Sequence, residues 1–197
     1  MGQICINYSA SINDQTVSRF FEIIHNKLKE NVDRFVILIS SPGGMVRSGI
    51  SAYNFLKGLP VEVITHNYGM VDSIAVVLFC SGSKRYCSPN ARFLIHGIGF
   101  NAQPNQRFDE RSLKERLTGL ENERITISKI ISENSTRSLK DIEQDMLQGV
   151  VWDSQQAKSY GLVHEIKEPL CEKGAEIIGI VDTTRQQAPP QIRIIGE

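Results

Sequence analysis

Ser73 stands where residues 67–72, a polar, glycine-containing stretch predicted to be a turn, meet an apolar run of helix-compatible residues. A serine at such a junction has two uses. Its hydroxyl can cap the helix by satisfying an unpaired backbone N–H group. Alternatively, it can be a nucleophile held on a tight turn, where neighbouring backbone N–H groups stabilise a developing oxyanion. The second use would make residues 67–78 the centre of an acyl-transfer site.

Two other features could contribute to such a site, although each has a simpler interpretation. Gly43 and Gly44 follow an apolar, strand-like run. They form either a plain turn or a place where the backbone approaches a ligand closely. His96 ends a second short apolar run, and a lone histidine there is most simply a partly buried structural residue.

The composition excludes several classes of function. The 197 residues include 22 acidic and 22 basic side chains, so a formal net charge of zero gives no electrostatic argument for nucleic acid or an anionic membrane. No Walker loop or dinucleotide fingerprint occurs, so no cofactor is predicted. The sequence has no bilayer-length apolar segment and no signal peptide, which predicts a cytoplasmic protein. The cysteines lack a CxxC pair and are expected to be buried thiols, not metal ligands: Cys5, Cys80, Cys87 and Cys171.

Apolar periodicity predicts an α/β chain in which strands and helices alternate. The run 34–40 is almost continuously apolar or β-branched, which is typical of a strand covered on both faces. The longest predicted helix covers 109–132, and Asp153 with Gln156 forms a capping box for a shorter one. The other predicted strands cover 3–7, 60–65, 84–87, 91–95 and 162–166, and the other helices cover 16–29, the stretch after Gly44 to 57, the run after Ser73 and a segment capped by Ser138.

The chain is predicted to form one domain over residues 1–168, followed by a tail over 169–197. Within the domain, residues 97–107 are rich in Gly, Asn and Gln and are expected to be a mobile loop or an exposed hairpin. In the tail, residues 175–181 and 191–195 have strand-like patterns, separated by a polar, proline-rich stretch. The tail is therefore expected to be partly extended and able to pair.

Four motifs, taken in order, resemble a known family. They are Ser-Pro-Gly-Gly at 41–44, Gly-x-x-x-Ser at 69–73, Pro-Asn-x-Arg-x-x-Ile-His at 89–96 and Ser-Gln-Gln-Ala-Lys-Ser-Tyr-Gly-Leu-Val at 154–163. Together they are similar to the proteolytic subunit of the Clp protease, a family of self-compartmentalising serine peptidases, from about Gln3 to Glu168. The resemblance implies a crotonase-like α/β fold of stacked βαβ units with a protruding handle helix, the handle region covering about 97–133.

The resemblance also implies a catalytic site and an activity. Ser73 aligns with the family nucleophile and His96 with its general base. Gly44 and Ile74 align with the residues whose backbone N–H groups form the oxyanion hole. His96 would take the Ser73 proton during attack on a peptide carbonyl and then protonate the leaving amine. The implied protein is a serine endopeptidase that hydrolyses peptides or unfolded proteins inside an oligomeric chamber.

Expected partners follow from the same resemblance. The family assembles as stacked homo-oligomeric rings, usually sevenfold, and works with an ATP-dependent unfoldase. No counterpart of the N-terminal segment that forms the family's axial loops precedes Gln3, which counts against an unfoldase partner for this chain. No metal, nucleic acid or membrane is implied.

The sequence departs from the family pattern close to the proposed catalytic residues. Gly149 falls where the family carries the aspartate of its triad, and Asp145 and Asp153 flank that position. Asp153 is more simply a helix cap. Lys114 on the handle would permit a Ser–Lys mechanism, although a surface lysine is the simpler interpretation. Asp72, directly before the serine, is expected either to oppose the oxyanion or to face solvent.

Three functions from different classes therefore stay open. The first is the endopeptidase. The second is a catalytically silent ring subunit or scaffold, for which Gly149 is the sequence evidence. The third is an acyl-CoA enzyme of the same fold, which shares the oxyanion architecture but does not need the pair of Ser73 and His96. Labelling of Ser73 by a serine-directed reagent would count against the second, and absence of acyl-CoA binding would dismiss the third.

Overall fold

The computed structural model describes residues 2–30, 32–100, 102 and 104–182. Strands and helices alternate through most of these residues, so the α/β prediction is confirmed. In chain order the elements are β1 (Gly2–Ser9), α1 (Asp14–Leu28), β2 (Val32–Ser41), α2 (Val46–Lys57), β3 (Glu62–Asp72), α3 (Ala75–Phe79), β4 (Lys84–Cys87), β5 (Arg92–Ile95), α4 (Glu110–Glu133), α5 (Leu139–Gln148), β6 (Val150–Asp153), α6 (Ser154–Ser159), β7 (Glu165–Ile166) and β8 (Glu176–Val181).

The strands form one sheet whose main path runs β6-β5-β3-β2-β1-β8. β1, β2 and β3 pair in parallel, because α1 and α2 return the chain to the same end of the sheet between them. Alternate residues of β2 face two apolar clusters: Phe35 and Ile37 pack with α1 and α2, whereas Val36 and Leu38 belong to a second cluster. The prediction that residues 34–40 form a strand covered on both faces is confirmed.

β3 positions the site, because it pairs with two different strands along its length. Ile64–Asn67 pair in parallel with β4, and Met70–Asp72 pair in parallel with β5. β5 then pairs antiparallel with β6. The carboxyl ends of β3 and β5 therefore lie side by side, and the amino end of β6 lies next to them.

α4 is the longest helix, and only its carboxyl end joins the core. Ile127 is buried there, whereas Leu117 in the first half is exposed. Asp109 caps the start by accepting a hydrogen bond from the Ser112 N–H in a capping box. The helix predicted over 109–132 is therefore confirmed as a protruding handle. Among the described residues, no helix combines the length and apolarity needed to cross a membrane.

Several local predictions were wrong or incomplete. Residues 67–72, expected to be a turn, form the second half of β3, because pairing with β5 overrides their polar, glycine-containing composition. α3 has only five residues, and β6 is a strand that the pattern does not predict. Of the strand expected over 162–166, only Glu165–Ile166 form a strand, β7. The strand expected over 175–181 is β8, which pairs in parallel with β1, and the one expected over 191–195 lies outside the described residues.

The cysteine prediction was wrong for one pair. Cys5 on β1 forms a disulfide with Cys171, whereas Cys80 and Cys87 are free and buried as expected. The two bonded cysteines are 166 residues apart in sequence. They meet because the segment after β7 folds back over the second apolar cluster, a contact that sequence spacing does not reveal.

Arg85 on β4 ties three segments of the chain together. Its side chain is 7% exposed, and its Nε donates to the Leu162 carbonyl at 2.7 Å. The two terminal nitrogens donate to the carbonyls of Gly82 and Gly161 and to both oxygens of Asn134, directly after α4. All five N–H groups of the guanidinium thus have acceptors, which makes its burial tolerable.

We therefore predict that Arg85→Met lowers the free energy of unfolding by about 3 kcal/mol, since five carbonyl and amide acceptors lose their donor in a buried place. Urea unfolding followed by the fluorescence of the single tryptophan, Trp152, measures this change. Arg111→Met is the matched control. Arg111 is exposed and pairs with Glu115 within the handle helix, so its loss is expected to cost less than about 0.5 kcal/mol. Equal effects of the two variants would contradict the prediction.

Candidate active site

Ser73 adopts a left-handed backbone conformation directly after β3. Its φ is 59°, which is uncommon for a residue other than glycine. Its N–H donates to the Leu94 carbonyl on β5 at 2.8 Å. The N-cap of α3 is Ile74, and no side chain caps that helix. The capping interpretation of Ser73 is therefore wrong, and the half-buried serine sits on a sharp strand-to-helix turn of the kind that presents a nucleophile.

Gly43 packs tightly against the Ser73 turn. A Cβ atom on Gly43 would lie 2.6 Å from the Asp72 carbonyl oxygen and 2.7 Å from the Ser73 Cβ, so a larger residue does not fit. Its φ of 85° also favours glycine. On the other side, the Ile12 N–H donates to the Gly43 carbonyl at 2.8 Å. The two adjacent glycines therefore allow a close backbone approach and do not form a plain turn.

The backbone N–H groups of Gly44 and Ile74 are the free donors beside the serine. Ile74 follows Ser73 directly, and Gly44 follows the glycine that touches it. Within the described residues neither N–H has a hydrogen-bond acceptor, although most buried backbone N–H groups are paired. Two such donors beside a serine can hold the negative oxygen that forms when a carbonyl is attacked.

His96 follows β5 in the same way that Ser73 follows β3. The register pairs Asp72 with Leu94, so the serine and the histidine extend from neighbouring strands at one edge of the sheet. His96 is half-buried. Within the described residues no hydrogen bond joins the Ser73 hydroxyl to the His96 ring, and such bonds commonly shorten only when substrate is bound.

Gly149 lies opposite His96 across the β5–β6 ladder. Val150 pairs with Ile95, which places the preceding residue of β6 beside the following residue of β5. A Cβ atom on Gly149 would lie 3.9 Å from the His96 Cβ. Gly149 also ends α5 in a left-handed conformation, with φ 71°. The sequence position where an aspartate was expected is thus next to the imidazole, and it carries no side chain.

The other candidate partners of the histidine have different contacts. The Asp145 carboxylate accepts a hydrogen bond from Arg137 at 2.9 Å. Asp153 caps α6, as predicted, by accepting a hydrogen bond from the N–H of the third helical residue. Lys114 is exposed on the handle and forms an ion pair with Glu110, so its surface interpretation is confirmed.

Asp72 is a buried carboxylate on the strand that leads to Ser73. Its side chain is 8% exposed, and the expectation that it faces solvent is therefore wrong. Arg92 donates to Oδ2 at 2.8 Å, whereas Oδ1 is buried without a hydrogen-bond partner among the described residues. Burial raises the pKa of Asp72. The positive charge of Arg92 opposes that rise most, followed by the Leu94 N–H and then by protonated His96.

A second serine–histidine pair, which the sequence analysis missed, lies nearby on the sheet. His66 Nε2 is 3.3 Å from the Ser88 hydroxyl. However, His66 is completely buried, and burial lowers its pKa to about 4. The Ser88 N–H donates to the Asn67 carbonyl, and Pro89, the residue after Ser88, has no N–H group to offer an oxyanion. This pair lacks the access and the donors for acyl transfer and is a natural comparison for Ser73 and His96.

The residues around Ser73 could therefore carry out acyl transfer with protein groups alone. They provide a hydroxyl nucleophile, an imidazole and two backbone donors, the parts that such a reaction uses. Among the described residues, no group of three His, Cys, Asp or Glu side chains is arranged to hold a metal ion.

Comparisons with known proteins agree on one family. The family described as Clp protease matches residues 2–169. The ATP-dependent Clp protease proteolytic subunit of Lactococcus lactis subsp. cremoris (strain SK11) is 29% identical over 143 residues, which is 71% of this chain and 70% of that protein. A solved structure of a ClpP1 mutant from Listeria monocytogenes superposes with a TM-score of 0.72 at 24% identity, covering 85% of this chain and 91% of the other. The structural likeness supports the fold.

The close contact at Gly43 makes a testable prediction. We expect Gly43→Ala to lower the free energy of unfolding by about 2 kcal/mol, because the added methyl group collides with the backbone of Asp72 and the φ is unfavourable for alanine. The Trp152 fluorescence midpoint in urea measures it. Gly99→Ala is the control: a Cβ there would have no atom within 4 Å, so the change is expected to stay below about 0.5 kcal/mol. A Gly43→Ala protein as stable as wild type would contradict the described packing.

Proposed function

Because this chain belongs to the Clp protease family, we propose that it is a serine endopeptidase, with Ser73 as nucleophile and His96 as general base. The substrates are peptides or unfolded proteins. One observation carries the proposal: the left-handed Ser73 turn lies beside His96 at one sheet edge and beside the unpaired N–H groups of Gly44 and Ile74.

The proposed reaction proceeds in two acyl-transfer steps. His96 removes the proton from the Ser73 hydroxyl while its oxygen forms a bond to the peptide carbonyl carbon. The N–H groups of Gly44 and Ile74 donate to the resulting oxyanion. His96 then gives the proton to the leaving nitrogen as the peptide bond breaks, and water releases the acyl group by the same route.

A second candidate function is supported by the absence of a side chain at Gly149. A ring subunit that has kept the fold but lost the triad carboxylate would show this feature, and it would act as a scaffold for other subunits. Without an orienting carboxylate, a serine–histidine pair loses up to roughly ten-thousandfold in turnover. The two functions differ in whether Ser73 reacts.

Labelling with a fluorophosphonate measures that reactivity directly. We expect wild-type protein to be labelled, Ser73→Ala to give no labelling, and His96→Ala to be labelled at least about a hundredfold more slowly, since the hydroxyl loses its proton acceptor. Mass spectrometry of the labelled peptide identifies the serine.

The pair of half-buried Ser88 and buried His66 provides the matched control. Ser88→Ala is expected to keep the wild-type labelling rate, because the residue after Ser88 is Pro89, which has no N–H group, and because His66 is inaccessible. No labelling of correctly assembled wild-type protein would refute the endopeptidase and leave the silent subunit as the function supported by the structure.

We further propose that the protein works as stacked homo-oligomeric rings, joined through the handle. The exposed apolar side chains of α4 support this, since Leu113, Leu117 and Ile125 are each about half exposed in the described part of one subunit. The name of the Lactococcus lactis relative describes an ATP-dependent protease, which supports an ATP-dependent partner for this chain.

Sedimentation velocity tests the assembly. We expect wild-type protein to sediment at many times the 22.1 kDa subunit mass. Leu117→Glu is expected to yield smaller species, because a charge would be buried at the contact between handles. Thr118→Glu, which adds the same charge at the neighbouring exposed position, is the control. A wild-type protein that sediments as a monomer would contradict the proposed rings.

A further inference from the structure

The position opposite His96 has no carboxylate, yet a buried carboxylate lies on the other side of the histidine strand. Asp72 pairs with Leu94 in the parallel register of β3 and β5. Paired residues in a sheet project to the same face, and alternate residues along a strand share a face. Arg92 demonstrates this here, because it lies two residues before Leu94 and reaches the Asp72 carboxylate at 2.8 Å. His96 lies two residues after Leu94, at the end of the same row.

One oxygen of the Asp72 carboxylate is not used by the ion pair with Arg92. Arg92 satisfies Oδ2, whereas Oδ1 is buried and makes no hydrogen bond of good geometry among the described residues, although the Leu94 N–H lowers the pKa of this carboxylate. An unpaired, buried carboxylate oxygen is costly and calls for a positive or hydrogen-bonding neighbour. The register places His96 at the end of the row that contains Asp72, and protonated His96 opposes, less than Arg92 does, the rise in the pKa of Asp72 that burial causes.

We propose that Asp72 is a positioning residue that acts through His96 and replaces the triad carboxylate missing at Gly149. This inference rests on the proposed endopeptidase function. The carboxylate is supplied by the last residue of β3, directly before the nucleophile, instead of by the residue before β6 on the opposite side of the histidine.

The role of Asp72 concerns the transfer of one proton from Ser73 to His96 and then to the leaving nitrogen. The Ser73 hydroxyl gives its proton to His96 as the serine oxygen bonds to the carbonyl carbon, and the ring becomes positively charged. Asp72 takes no proton. Its negative charge stabilises the charged ring until His96 passes the proton to the leaving nitrogen.

A purely structural role for Asp72 is the competing explanation, because the ion pair with Arg92 also joins β3 to β5. The two roles differ in what they require. A structural role needs both members of the ion pair, whereas the proposed role needs only the carboxylate. Arg92 is 47% exposed at its side chain, so it can be replaced without opening the core.

Rates of fluorophosphonate labelling of the assembled protein distinguish the two roles. We expect Asp72→Asn to slow labelling by at least about tenfold, since it removes a charge next to the imidazolium while keeping the side-chain shape. Arg92→Gln breaks the same ion pair but keeps the carboxylate. Because Arg92 also lowers the pKa of Asp72, all variants are compared at about pH 8.5, where the carboxylate stays ionised, and we expect the Arg92→Gln rate to stay within about threefold of wild type. Sedimentation confirms that each variant assembles.

A carboxylate introduced at position 149, on the opposite side of His96, is expected to restore the labelling rate that Asp72→Asn loses. A Cβ atom at position 149 would lie 3.9 Å from the His96 Cβ, so an aspartate side chain there can reach the ring. We expect Gly149→Asp alone to label at least as fast as wild type, and the double variant of Asp72→Asn with Gly149→Asp to recover most of the lost rate. Loss of a structural ion pair would not be restored by a charge on another strand.

Three outcomes would overturn the inference. The first is wild-type labelling that Asp72→Asn leaves unchanged. The second is an equal loss in Arg92→Gln, which would assign the effect to the ion pair. The third is a double variant that stays as slow as Asp72→Asn while Gly149→Asp alone labels normally. Wild-type protein that is not labelled at all would instead refute the proposed function, and this inference with it.

Discussion

The hydrogen bond from the Ser73 N–H to the Leu94 carbonyl extends the ladder between β3 and β5 to the first residue beyond β3. Every other feature of the site depends on this register. It sets the serine turn beside the end of β5, and therefore beside His96. It also leaves the amide of Ile74 without an acceptor at the start of α3. A shift by one residue would turn the side chains of β5 to the other face and separate the serine from the histidine.

The unfavourable backbone conformation of Ser73 is held by its surroundings. A serine with positive φ persists only where neighbouring structure leaves no alternative. Here the constraint comes from the ladder on one side and from Gly43 on the other, whose backbone contacts the Ser73 Cβ. Ile12 in turn fixes Gly43. The same close approach that forces the turn also brings the free N–H of Gly44 near the serine, so one packing arrangement serves both the nucleophile and the oxyanion donors.

The electrostatics of the site are unusual in where the negative charge lies. The residue opposite His96 is a glycine that ends α5, a role suited to its positive φ. Nearby acidic residues are occupied: Asp145 pairs with Arg137, and Asp153 caps α6. Asp72 is different, because one oxygen of this buried carboxylate has no hydrogen-bond partner in the part of the chain that the structure describes. A histidine that alternates between neutral and charged states suits such a neighbour, since the carboxylate favours the charged state.

The sequence by itself determined most of the elements and singled out two candidate site residues. Apolar runs with periods of two and 3.6 identify strands and helices locally, so β1, β2, α1 and the handle helix were predictable. Short motifs likewise singled out Ser73 and His96, and capping residues such as Asp153 act within one turn of helix. Local signals of this kind need no knowledge of the rest of the chain.

Only the tertiary structure decided the contacts between distant segments. The extension of β3 through residues 67–72, the pairing of β6 with β5 and the disulfide from Cys5 to Cys171 all join residues far apart in sequence. The burial of Asp72 against Arg92 depends on which strands are neighbours and on their register. Strand pairing is set by competition among all segments for the same partners, and a pattern read along one segment carries no information about which partner wins.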